Sequence, residues 1–132
     1  MGSFLLVTGA VLAAAAAALH VYIFVLESVL WTRPSTWRVF GLRSQADAET
    51  TRPLAYNQGF YNLFLAIGVV VGIALLPVNS SAGVTLLLAS TLSMVLAALV
   101  LVTSNRPMLR AAAMQGVLPL LAALSVALSF AF

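Results

Sequence analysis

Residues 4–31 read FLLVTGAVLAAAAAALHVYIFVLESVLW, and the only ionisable side chains among them are His20, Tyr22 and Glu27. A run this long and apolar exceeds the ~20 residues a helix needs to cross a ~30 Å hydrocarbon core. Its surplus length predicts tilt or protrusion. No Lys or Arg precedes it, and it is longer than the ~7–15 apolar residues of a signal peptide, so it reads as a retained span. An ionised side chain at the centre of such a helix costs roughly 2.5–3.5 kcal/mol on insertion scales, and less near an end, where Glu27 lies. Residues kept at that cost face a protein interior, pair with another group or line a pathway. Glu27 therefore poses the question that the rest of the chain must answer.

The whole sequence agrees with a lipid-solvated protein. Of its 132 residues, 63% are hydrophobic and 7% charged, against about 25% charged in a typical soluble domain. Mean hydropathy is +1.12. There is no cysteine, which excludes a disulfide framework, a thiolate metal site and a cysteine nucleophile. Six arginines against three acids give a net charge of +3. These arginines flank apolar runs, so the basic character reports membrane topology and no nucleic-acid partner is expected.

Four apolar segments stand out, at about 4–31, 54–76, 84–102 and 108–132. None shows the period-2 alternation of barrel strands, and each is too long for one. Spanning helices satisfy all their backbone groups internally. The expected fold is all-α: a polytopic membrane protein, an antiparallel four-transmembrane-helix bundle forming one domain over 1–132. The turns at 77–83 and Asn105–Pro107 are short, and Pro107 suits the first turn of a helix. The link at 32–53 holds most of the charge. Its Trp37, Phe40 and Leu42 fit a short amphipathic piece at the interface, or a solvated loop with one aromatic anchor.

Arg33, Arg38, Arg43 and Arg52 lie in that first link, and Arg106 and Arg110 in or just after the third. The positive-inside rule places both links in the cytoplasm and both termini outside, in a cell inner (plasma) membrane. Ala13–Ala18 and the pair Gly68/Gly72 offer small surfaces for close helix packing. They serve either the chain itself or a homo-oligomer.

The polar side chains cluster in depth. His20 and Glu27 are seven residues apart, nearly two helical turns, so they share a face with Phe24 between them. A rise of ~1.5 Å per residue puts His20 roughly 10 Å deeper. The second span, antiparallel to the first, opens with Asn57, Gln58, Tyr61 and Asn62, in two rows of i, i+4 pairs. Gln115 lies about two turns into the fourth span. All are expected in the half of the bilayer next to the arginines. Tyr22, two residues from His20, faces another side.

Each of these residues also has a plainer reading. Asn and Gln bond across membrane helices as structural glue, a buried His is often a packing residue, and Glu27 can pair with Arg52 or Arg110. Taken together they suggest a site. Glu27 or His20 would be the general acid or base, Tyr61 and Asn57 would donate to a substrate oxygen, and Gln58, Asn62, Gln115 and Phe24 would line the pocket. One His and one Glu fall short of a three- or four-ligand metal site, so no metal is expected. No cofactor is expected either, although His20 at mid-depth could supply one axial ligand to a haem.

The string His20-Val21-Tyr22-Ile23-Phe24-Val25-Leu26-Glu27, followed by Asn57-Gln58-Gly59-Phe60-Tyr61-Asn62-Leu63-Phe64-Leu65-Ala66, resembles a bacterial family of small four-helix membrane proteins, domain of unknown function 1304. Gln115-Gly116 and Pro119 resemble that family's last span. Val102-Thr103-Ser104-Asn105 stands where its members carry a glycine–tyrosine–glycine-like stretch. The resemblance implies the fold, the membrane location and the candidate residues, and it implies no reaction.

Three functions are compatible with these residues. The first is a membrane-embedded enzyme or binding protein for a small apolar or amphiphilic molecule. By analogy, small four-helix membrane enzymes build such sites from Asn, Tyr, His and Glu. The second is an accessory subunit without chemistry. The third is a proton-coupled exporter, against which the one-sided arginine bias and the long first link count.

Overall fold

A computed structural model describes residues 1–132. Helix α1 spans Gly2–Phe24 and runs on into a π-helical turn over Val25–Val29. Helix α2 is a single turn, Pro34–Trp37; α3 spans Gln45–Leu75 and α4 Ser80–Ser104. A 3-10 turn at Arg106–Met108 leads into α5, Leu109–Leu128. Four helical stretches, Gly2–Val29, Gln45–Leu75, Ser80–Ser104 and Arg106–Leu128, are long and apolar enough to cross a membrane. The protein is thus an all-α chain of the four-helix membrane class, as its apolar segments predict.

The second long helix starts earlier than its apolar stretch. Hydropathy marks Leu54, but α3 begins at Gln45. Ser44 supplies the start signal, its hydroxyl accepting the Asp47 N–H at 3.1 Å, as an N-cap does. Pro53 lies inside α3, where its ring removes one donor from the helical ladder. At ~1.5 Å per residue, this 31-residue helix is about 46 Å long and must project beyond a ~30 Å core.

The chain divides into two compact units, residues 20–64 and residues 1–19 with 65–132. The larger unit holds the start of α1, the end of α3, and α4 and α5. Its core is Ala13, Ala16, Ala17, Ala66, Val69, Leu87, Met94 and Ala122. Small residues let these helices approach closely. A Cβ on Gly72 would lie 3.1 Å from the Gly83 carbonyl and from Leu87, and one on Gly116 would lie 2.9 Å from the Ala98 methyl. Gly68 likewise abuts Ser90. The Gly68/Gly72 pair is therefore used within the chain, against α4, and does not present a face to a second copy. The alanine run is divided: Ala13, Ala16 and Ala17 are buried, and Ala14, Ala15 and Ala18 are exposed.

Hydroxyls in this unit bond back to their own helices. Thr91 donates to the Leu87 carbonyl at 2.6 Å and Ser93 to that of Ala89 at 2.7 Å, which satisfies them without a partner helix. Two apolar grooves open on its surface. One of about 480 Å³ lies among Leu6, Val11, Ile73 and Leu76. Another of about 180 Å³ lies among Leu99, Leu109 and Gly116.

Candidate functional site

The smaller unit contains the end of α1, the π turn, the link with α2, and the first part of α3. Its link is folded inward. Trp37 is buried at 7% exposure, and its indole N–H donates to Gln45 Oε1 at 2.9 Å. Gln45 Nε2 in turn donates to the Thr32 carbonyl at 3.0 Å and to Glu49 Oε1 at 3.1 Å. Trp31 donates to Thr51 Oγ1 at 3.1 Å and packs on Phe40 with ring centroids 4.9 Å apart. The Arg38 guanidinium lies 5.2 Å above the Trp37 ring, a cation–π contact. The link is therefore not a plain solvated loop, because indole and amide side chains tie it to the first turns of α3.

Glu27 lies in the π turn. Here the Leu30 N–H reaches the Val25 carbonyl at 2.9 Å, an i→i+5 bond where a regular α-helix would make i→i+4. Such bulges are frequent at functional sites. The turn is held by α3 at three successive positions. The Ser28 hydroxyl donates to the Tyr56 carbonyl at 2.8 Å. Gly59 faces Ser28 directly: a Cβ there would collide with Ser28 Oγ and lie 3.0 Å from the Ser28 nitrogen and 3.1 Å from Glu27 Cβ. Asn62, one turn further along, donates from Nδ2 to Glu27 Oε2 at 2.8 Å, and the same nitrogen lies 3.2 Å from the Gln58 carbonyl. The amide is thus oriented by its own helix before it meets the carboxylate.

Of the residues expected in one site, the structure joins Glu27 and Asn62, while Phe24 packs on Phe60. The Phe24 and Phe60 rings meet edge to face at 5.1 Å, and Phe60 continues to Tyr56 at 5.0 Å and Phe64 at 6.2 Å. Glu27 bonds an amide in place of a guanidinium. Only one of its oxygens is engaged. No fully buried side-chain oxygen in the chain lacks a hydrogen bond, so the other keeps accessible surface. His20 is buried at 2% exposure. Asn57, Gln58 and Tyr61 are exposed; Asn57 and Tyr61 lie on the side of α3 away from Gly59, and Gln58 lies one turn before Asn62 in the same row. Gln115 belongs to the larger unit. No three His, Cys, Asp or Glu side chains gather to hold a metal ion.

Ser28 and Gly59 are the site residues that sequence reasoning passed over. Their signal was spacing: Gly59 precedes Asn62 by three residues, on the same helical face, and Ser28 adjoins Glu27.

A search of curated proteins and a search of solved structures matched nothing. The family model described as "Protein of unknown function (DUF1304)" matches residues 14–127, a stretch that contains every residue of the site just described. The chain belongs to the DUF1304 family.

Proposed function

We propose that this protein binds or transforms a small apolar or amphiphilic molecule at Glu27, from within a plasma membrane whose cytoplasmic face carries the arginine-rich link. The observation that carries this reading is the pairing of Glu27, in the π turn, with Asn62 of α3. One carboxylate oxygen is held by an oriented amide and the other keeps accessible surface. A carboxylate so placed can accept a hydrogen bond from a ligand or move a proton to or from it. Phe24, three residues before Glu27, packs edge to face on Phe60 of α3. A second reading, an accessory subunit without chemistry, draws on the close seating of Gly59 on Ser28, since such contacts suffice as packing.

Two measurements on membranes separate these readings. An apolar carbodiimide added to native membranes should modify Glu27, detected by intact-protein mass and lost in Glu27→Gln. Extraction of the purified protein should release an apolar species that is depleted in the same variant. A carboxyl that resists the reagent, with identical extracts from both proteins, would leave the accessory reading in possession.

A further inference from the structure

We propose that two copies of this chain pair through a parallel α3–α3 seam made by Leu54, Asn57, Tyr61 and Phe64, about a twofold axis along the membrane normal. The pairing is independent of what Glu27 does, because it uses the opposite side of α3. Positions 54, 57, 61 and 64 are spaced by three, four and three residues, the seam of a left-handed helix pair. All four are exposed: Leu54 is 72%, Tyr61 55% and Phe64 58% accessible, and Asn57 is also exposed. Position 59, which seats the π turn, is two residues from both Asn57 and Tyr61 and so points nearly the other way on a 3.6-residue helix.

The occupant follows from the chemistry of Asn57. It stands within the apolar part of α3, where an amide facing lipid has no partner. An amide carries both donors and an acceptor, so it is complementary to a second copy of itself. Every copy inserts with its arginines on the same side. Two α3 helices therefore meet in parallel, and Asn57 meets its counterpart at equal depth, the requirement for an isologous twofold contact. The Tyr61 hydroxyl, also donor and acceptor, recurs one turn deeper. A single Asn in an apolar seam is the established device for setting register and oligomeric state. Gly68 and Gly72 continue the same stripe of α3, where α4 of the same chain covers it, so the seam is confined to residues 54–64.

The natural chain has no cysteine, so single-cysteine variants report one position each. In native membranes under mild oxidation, Leu54→Cys, Tyr61→Cys and Phe64→Cys should give disulfide-linked dimer. Ala55→Cys and Asn62→Cys should give only background. Introducing Asn57→Leu should weaken association, read from Leu54→Cys cross-linking at graded protein density, by about threefold to thirtyfold, the range measured for interhelical amide bonds. A uniform pattern, a maximum on another face, cross-links only to a different protein, or no dimer at any density would overturn the proposal.

Discussion

Gly59→Ala is the sharpest test of how α3 grips the π turn. The new methyl would collide with Ser28 Oγ and sit 3.0 Å from the Ser28 nitrogen and 3.1 Å from Glu27 Cβ, where carbon contacts prefer about 3.5–4.0 Å. The Ser28 side chain must rotate away, losing its 2.8 Å bond to the Tyr56 carbonyl, a net cost of about 0.5–1.5 kcal/mol. The two remaining contacts involve backbone and a Cβ, so α3 must shift as well, and such overpacking costs about 1–3 kcal/mol. The better helix propensity of alanine offsets about 1 kcal/mol. The expected outcome is a destabilisation of about 0.5–3.5 kcal/mol. Both tryptophans, Trp31 and Trp37, lie in the unit that contains this contact. Their fluorescence during equilibrium unfolding in mixed micelles reads it directly. A double-mutant cycle with Ser28→Ala isolates the contact: with the hydroxyl already removed, Gly59→Ala should cost about 1 kcal/mol less. Wild-type stability in Gly59→Ala, or strict additivity of the two changes, would refute the close approach.

Asn62→Leu should destabilise the protein by about 1–3 kcal/mol, because it strips the carboxylate of its donor. Glu27→Gln keeps an acceptor for Asn62 and should cost less in the same unfolding assay; the reverse order would mean that the pair is not what holds Glu27. Ser44→Ala should remove the α3 cap at a cost of about 1 kcal/mol and speed amide exchange over residues 45–48, and unchanged exchange there would place the helix start elsewhere. A membrane-impermeant thiol reagent on intact cells should label Ser80→Cys and reach Arg43→Cys only after permeabilisation, and the opposite pattern would invert the proposed topology.

The four spans were legible in the sequence because crossing a bilayer is a one-dimensional property, a sum of transfer free energies over about twenty residues. The family was legible too, in the strings around Glu27 and Asn57–Asn62. The start of α3 was less so. Residues 45–53 are polar, and hydropathy is silent about a helix that continues into water, although Ser44 and Asp47 carried a capping signal at the right spacing.

The π turn, the seating of Gly59 and the choice of Asn62 as the partner of Glu27 were decided by tertiary structure. Depth put Asn57 and Gln58 level with Glu27 and Asn62 deeper, between Glu27 and His20, but depth says nothing about rotation around a helix axis. In a helix that is apolar on every side, side-chain polarity does not mark the inward face. Shape marks it instead: Gly59 admits the Ser28 backbone, and that approach carries Asn62 to Glu27 while turning Asn57 and Tyr61 away. The sequence alone determined where along its helix each polar group lies. Only the close contact between two backbones, a steric property of one glycine and the turn opposite it, decided which of them meet.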